Sequence, residues 1–247
     1  MNYIDSVQNN RVKNFAKLKE KKYREEMKSF LVEGEHLIEE ALKEHLVKIL
    51  FTLHGTHPFT LDENIEVVQA SEAVMAKLSS TSSAAEYIAV CKYMPHQLPK
   101  GKRIMVLDDV QDPGNVGTII RSALSFGFSG VVLSKNGVDI YNEKLIRSTQ
   151  GAIFHFPIIR CDITSKLVEL KEDGYYIVGT SLQNGKPLST IEEHEKMVLI
   201  VGNEGSGVSQ EVLDLTDVNA FIEMVNFESL NVGVAAGIMM YKFRGNK

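Results

Sequence analysis

The chain has 247 residues, of which 44% are hydrophobic and 24% charged, a composition that excludes global disorder and suits one large domain or two modest ones. No run approaches the roughly 18 apolar residues that span a bilayer, and the opening MNYIDSVQNNRVKNF lacks the apolar core of a secretory signal. Formal net charge is −5, but residues 1–28 hold eight bases and four acids, so this arm is +4 and the remainder carries −9. A basic arm on an acidic body attracts a polyanion locally; the same charges also suit a solvated helix face. Cys91 and Cys161 form no CxxC pair, which argues against a disulfide framework or a cysteine-built zinc site and points to a reducing cytoplasm.

In chain order, Asn10–Lys28 is polar and helix-prone. Phe30–Val32 is a short apolar run, Gly34 a break, and Glu35–Lys43 a helix. Leu46–Leu53 and Ile65–Val68 read as strands, Ser71 caps a helix to Leu78, and Ile88–Cys91 is a last strand. Pro95, Pro99 and Gly101 make residues 96–102 a linker between a domain at 1–95 and one at 103–247. The second domain alternates. Strands are expected at Ile104–Leu107, Val131–Leu133, Phe156–Ile159, Tyr176–Val178, Met197–Val201 and Ala220–Met224. Helices are expected at Val116–Phe126, Asn142–Thr149, Ile163–Leu170, Val208–Leu213 and Leu230–Phe243. Such alternation implies an α/β fold with a mostly parallel sheet covered on both faces, its ligands beyond the carboxyl ends of the strands.

Three strand-end loops concentrate small and polar residues. In the first, Pro113-Gly114 reads as a turn and Asn115 as a helix cap. Arg121, six residues on, projects from the second helical turn, either to clamp a phosphate or to pair with a nearby aspartate. The second loop, Gly202-Asn203-Glu204-Gly205-Ser206-Gly207, lets a backbone approach a ligand and offers N–H donors; no GK[ST] follows, so it is not a P-loop. The third, Ile222 to Gly237, opens a helix of small residues at Glu228-Ser229-Leu230-Asn231, where Ser229 or Asn231 serves as cap. His54-Gly55-Thr56-His57 has no acidic or cysteine partner, so no metal is expected, and His155 between Phe154 and Phe156 reads as a packed histidine.

Taken in this order, the loops resemble the SpoU (TrmH-type) branch of the SPOUT RNA methyltransferases. Asn115, Gly117 and Arg121 match its N-x-G-x-x-x-R motif, Gly202 to Gly207 its G-N/A-E-G-x-G motif, and Ile222, Met224, Ser229, Leu230, Asn231 and Val232 its I-P-M…S-L-N-V motif. Val138 to Asn142 and Arg147 to Ala152 also look like that family. Lys21-Lys22-Tyr23-Arg24 and Phe30 to Gly34 resemble the RNA-binding module of its 23S rRNA members. Glu223 stands where the family motif has proline, Gly233 replaces a usual serine, and Ser82 to Tyr87 replaces a Pro-Gln-Gly-type stretch.

The resemblance implies a C-terminal trefoil-knotted sheet with a smaller N-terminal substrate-binding domain, working as a homodimer. It implies transfer of a methyl group from S-adenosylmethionine to a ribose 2′-hydroxyl, most simply in 23S rRNA. Gly202, Asn203, Glu204, Ile222, Met224, Leu230 and Asn231, with Thr180 as a wall, would hold the cofactor. Arg121, Asn115, Glu204, Ser229 and Asn231 would form the catalytic set, with Ser229 either bonding the hydroxyl or only capping its helix. Lys21, Lys22, Tyr23, Arg24 and Arg121 would meet RNA, Tyr23 by stacking on an unpaired base or by anchoring its helix. The competing readings are a tRNA ribose methyltransferase, a non-catalytic RNA-binding or ribosome-assembly protein, and a small-molecule α/β enzyme.

Overall fold

The computed structural model describes residues 2–81, 85–95, 97–226 and 229–245. Met1–Pro95 with Asp139–His155 form one compact unit, and His96–Val138 with Phe156–Lys247 form another.

The first unit runs β1 (Asn2–Ile4), α1 (Asn10–Ala16), α2 (Lys21–Met27), β2 (Ser29–Glu33), α3 (Glu35–Lys43), β3 (Val47–Thr52), β4 (Glu66–Ala70), α4 (Glu72–Leu78) and β5 (Tyr87–Lys92). Its sheet has the order β1-β4-β3-β5-β2, parallel from β1 to β3 and antiparallel from β3 to β2. Leu18, Leu31, Phe51, Val68, Met75 and Ile88 build its core. The polar stretch Asn10–Lys28 is not one helix: a 3-10 turn at Lys17–Lys19 and an extended Glu20 (φ −98°, ψ 134°) break it. Asn9 caps α1 by accepting from the Arg11 N–H at 2.8 Å, and Lys28 ends α2 in the left-handed region at φ 47°. Ser71 caps α4 as expected, accepting from the Val74 N–H.

The second unit begins with β6 (Arg103–Asp108), α5 (Pro113–Ser125) and β7 (Gly130–Ser134). The chain then contributes α6 (Glu143–Thr149) and α7 (Ala152–His155) to the first unit. This departs from the expected continuous domain over 103–247, and the cause is side-chain chemistry. Asp139 forms an ion pair with the buried Arg24 (2.7 Å). Tyr141 stacks on Tyr93 (3.8 Å between centroids) and packs on Phe30, and its hydroxyl accepts from the Met94 N–H at 2.9 Å. Arg147 donates to the Ser80 hydroxyl at 2.8 Å.

Back in the second unit follow β8 (Ile158–Cys161), α8 (Ile163–Glu172), β9 (Tyr176–Thr180), β10 (Lys186–Pro187), β11 (Met197–Gly202), α9 (Gln210–Leu213), β12 (Val218–Phe221) and α10 (Val232–Lys242). Its seven strands, in the order β10-β12-β9-β11-β6-β7-β8, are all parallel. Ile104, Val106, Val198 and Ile200 face Leu167, Leu170 and Val212 of α8 and α9. Their neighbours Met105, Leu107, Leu199 and Val201 are equally buried, because side chains alternate across a strand and this sheet is covered on both sides. From β6 the chain moves outward through β7 to β8, returns to β9, and only then fills the gap between β9 and β6 with β11. That gap is the switch point at which α/β sheets bind ligands. Arg103 fastens the last helix to the start of β6: its Nε donates to the Phe243 carbonyl (3.0 Å) and Nη1 to the Glu195 carbonyl (2.6 Å).

Candidate functional site

The ends of β6 and β11 lie level, Asp108 opposite Gly202, and so do those of β9 and β12, Thr180 opposite Ala220. Their loops therefore share one edge of the sheet. The first loop differs from expectation. Asp112, not Asn115, caps α5, accepting from the Asn115 N–H at 3.0 Å. Pro113 takes the first helical position, where its missing N–H costs nothing, so Pro113-Gly114 is helix rather than turn. Arg121 consequently stands in the third turn, not the second.

Released from capping, the Asn115 side chain joins the three loops. Its Nδ2 donates to Glu204 Oε1 at 3.0 Å, and its Oδ1 accepts from Asn231 Nδ2 at 2.9 Å. Asn231 Oδ1 caps α10, accepting from the N–H groups of Gly233 (2.9 Å) and Val234 (3.3 Å). Glu204 also accepts from the backbone N–H groups of Gln111 (3.2 Å) and Asp112 (3.1 Å). Partial desolvation by itself would raise the carboxyl of the exposed Glu204, but the hydrogen bonds from Asn115 and the backbone outweigh it and hold the group below the usual carboxylate range. Gln111 and Asp112 escaped the sequence reading, although an aspartate directly before a proline is a helix-start signal.

The second loop closes on itself. Asn203 and Gly207 exchange backbone hydrogen bonds at 3.0 and 2.9 Å. Asn203 Nδ2 donates to the Asp109 carbonyl (3.0 Å), and Oδ1 accepts from the N–H groups of Gly205 (2.9 Å) and Ser206 (3.2 Å). The expected free N–H donors of Gly205 and Ser206 are thus occupied, and the Asn203 side chain shapes the loop instead of facing a ligand. A Cβ on Gly202 would lie 2.1–2.2 Å from the backbone of Gly207 and Val208, so this position accepts no side chain.

The expected strand Ala220–Met224 ends at Phe221, which leaves Ile222 and Met224 half-buried in the loop beyond it. Leu182 and Leu230 are 62% and 40% exposed, and Thr180 donates its hydroxyl to the Ile200 carbonyl at 3.1 Å. Apolar side chains near a strand end that finishes in glycine suit the flat, uncharged ring of a nucleoside cofactor. The geometry therefore fits S-adenosylmethionine, with Ile222, Met224 and Leu230 offering apolar surface and Gly202 its backbone.

Arg121 is exposed, and its guanidinium makes no ion pair or hydrogen bond among the described residues, so the expected pairing with an aspartate does not occur. Ser229 is exposed, and the cap it was a candidate for belongs to Asn231. Phe227 and Glu228 of the third loop, and Ser82, Ser83 and Ala84, lie outside the described residues. In the first unit, Lys17 and Lys22 stand 5.3 and 5.7 Å from the half-buried Tyr23 ring, and Lys21 pairs with Glu25 at 3.8 Å. Arg24, expected to meet RNA, is instead 5% exposed: it donates to the carbonyls of Leu18 and Lys19 and to Asp139. His155 is held by Glu40 (2.5 Å) and Glu44 (2.7 Å) rather than by apolar packing alone. His57 stacks on Phe59. Among the described residues no cluster of three or more His, Cys, Asp or Glu side chains could hold a metal, and no helix is long and apolar enough to cross a membrane.

A parallel sheet whose carboxyl-end loops are laced together by Glu204, Asn115 and Asn231 defines the catalytic domain of an RNA methylase: the chain belongs to the SpoU rRNA methylase family, which matches residues 102–241. Residues 9–89 match the MRM3-like substrate binding domain. The chain is 41% identical to the 23S rRNA (guanosine(2553)-2′-O)-methyltransferase RlmP of Bacillus subtilis strain 168, over 99% of this chain and 100% of that protein. It is 31% identical to an uncharacterized tRNA/rRNA methyltransferase of Synechocystis, over 98% and 93% of the two chains. The crystal structure of an AdoMet-bound rRNA methyltransferase from Sinorhizobium meliloti superposes with a TM-score of 0.86 at 27% identity, covering 97% of this chain and 96% of that one.

Proposed function

We propose that this protein methylates a ribose 2′-hydroxyl of 23S rRNA, with S-adenosylmethionine as methyl donor. The observation that carries the reading is the Glu204–Asn115–Asn231 chain, which binds three strand-end loops into one rigid edge. The full-length likeness to RlmP, substrate-binding region included, supports rRNA over tRNA as substrate.

When bound, the cofactor supplies an electrophilic sulfonium methyl; the protein's task is to hold a hydroxyl in line behind that carbon. Gly202 and Ile222 contribute backbone groups, Met224 and Leu230 apolar contact, and Thr180 a wall. Glu204, Asn115, Asn203 and Asn231 keep the loops in register. Arg121, without an ion pair or hydrogen bond from its guanidinium among the described residues, clamps phosphate and orients the target ribose; a guanidinium keeps its proton in proteins and does not serve as base. In this reading Ser229, relieved of capping, hydrogen-bonds the hydroxyl. Lys21, Lys22 and Tyr23 meet RNA in the N-terminal module over residues 1–95.

The reading includes a homodimer, the trefoil-knotted threading of the family and a cytoplasmic site of action. Val234, Ile238 and Tyr241 are 51%, 39% and 58% exposed at helical spacing along α10, with Leu124 of α5 39% exposed, and such an apolar stripe favours association. Methyl-labelled cofactor, offered with 23S rRNA or with tRNA, tests the proposal. Label recovered as a 2′-O-methylnucleoside from 23S rRNA is the expected result. Label in tRNA would reassign the substrate, and cofactor binding without transfer to either would leave a non-catalytic RNA-binding protein.

A further inference from the structure

A group of polar contacts lies beside the loops described so far, at the turn Leu188–Thr190 that precedes β11. β10 and β12 pair in parallel, with Lys186 opposite Ala220 and Pro187 opposite Phe221. Continued by two residues, this register brings Ser189 to Glu223, just beyond the last ladder pair. There a side chain takes over from the backbone. Glu223 Oε1 accepts from the Ser189 N–H (3.3 Å) and from the Ser189 hydroxyl. From the other side Lys242, at the end of α10, donates to the carbonyls of Leu188 and Ser189, the latter at 2.9 Å. Leu188 and Ile191, both buried, seat the turn in the core. The turn is thus a fixed post, and Glu223 ties the exit of β12 to it.

We propose that Glu223 is a positioning residue for the cofactor: clamped to Ser189, it sets the path of the chain leaving β12 and so presents its neighbours Ile222 and Met224 to S-adenosylmethionine. The inference rests on the cofactor reading given above. A proline at this position would fix its own φ and stiffen such an exit without help. Glutamate has no such restraint, and its carboxylate supplies one through Ser189. The hydrogen bond of that hydroxyl also holds the Glu223 carboxyl below its ordinary range. Both side chains are exposed, so the clamp adds little to global stability. Its effect falls on binding, because a loop ordered beforehand need not be ordered by the ligand.

Calorimetric titration with S-adenosylmethionine and methyl-transfer kinetics on the full chain test this. Glu223→Ala is expected to raise Kd and the KM for the cofactor about fivefold. Its kcat at saturating cofactor stays at the wild-type value, and Tm stays within about 2 °C. Ser189→Ala raises Kd by a smaller factor, Ser189→Thr restores binding, and the Ser189→Ala/Glu223→Ala double variant is no weaker than Glu223→Ala alone. If the wild type binds the cofactor and Glu223→Ala binds within twofold of it, or if kcat falls while KM holds, the clamp is wrong. A wild type that binds no cofactor overturns the underlying reading and the clamp with it.

Discussion

Glu204 is surrounded by donors only: the Asn115 amide and the N–H groups of Gln111 and Asp112. The carboxyl of this exposed residue is lowered because these hydrogen bonds outweigh a partial desolvation, so the ionised form stabilises the folded chain at neutral pH. That contribution is complete above the ordinary carboxylate range and is lost as pH falls through the lowered folded value. Between roughly pH 5 and pH 3, urea midpoints of wild type should therefore fall more steeply than those of Glu204→Gln, whose amide has one acceptor and faces donors with its own N–H groups. Parallel slopes would show that Glu204 is not ionised in this network. Arg121 is the opposite case, a charge with no partner among the described residues. Arg121→Ala should lower methyl transfer about a hundredfold while leaving cofactor Kd unchanged, and Arg121→Lys should retain more activity. A shared loss of cofactor affinity would contradict that assignment. The sequence made the identities of Asn115, Glu204 and Asn231 legible, but not their partners. Asn115 reads locally as a cap; only the fold shows that Asp112 has taken that place.

Elements with strong local signals lie where the sequence puts them: α3 has an unbroken apolar face after Gly34, α4 begins at its serine cap, and α8 has the capping Asp162. Elements decided by tertiary pairing do not. β1 is three residues long, only Ile4 of it is buried, and it exists because β4 offers a parallel edge. β12 stops before Ile222 because β10, its partner, is only two residues long. The two caps at the site separate structure from function. Asp112→Ala and Asn231→Ala should each cost about 1 kcal/mol, or 2–4 °C in Tm. Only Asn231→Ala should also weaken cofactor binding, because Asp112 bonds Glu204 through its backbone, which alanine keeps. Equal cofactor affinity in the two variants would remove Asn231 from the binding role.

For the molecule as a whole, charge placement matters more than net charge. Of the bases in residues 1–28, Arg11 pairs with Glu66, Lys21 with Glu25 and Arg24 with Asp139. Lys13, Lys17, Lys22 and Lys28 form no ion pair among the described residues, nor does Lys19, which donates to the carbonyls of Lys77 and Ser79. Composition could not tell these sets apart, since Arg24 finds its carboxylate 115 residues away. Arg24→Ala should cost about 3–5 kcal/mol by stranding Asp139. Lys22→Ala should leave stability within about 0.5 kcal/mol but reduce the salt slope of RNA binding by about one. An unchanged salt slope would take Lys22 off the RNA surface. The central claim is ribose methylation of 23S rRNA, and the most direct measurement is a map of 2′-O-methyl groups in 23S rRNA from cells with and without the protein. The account predicts one ribose methyl that disappears with the protein and returns with the wild-type chain but not with Arg121→Ala. An unaltered 23S rRNA map, or a lost methyl that proves to be on a base, would contradict it.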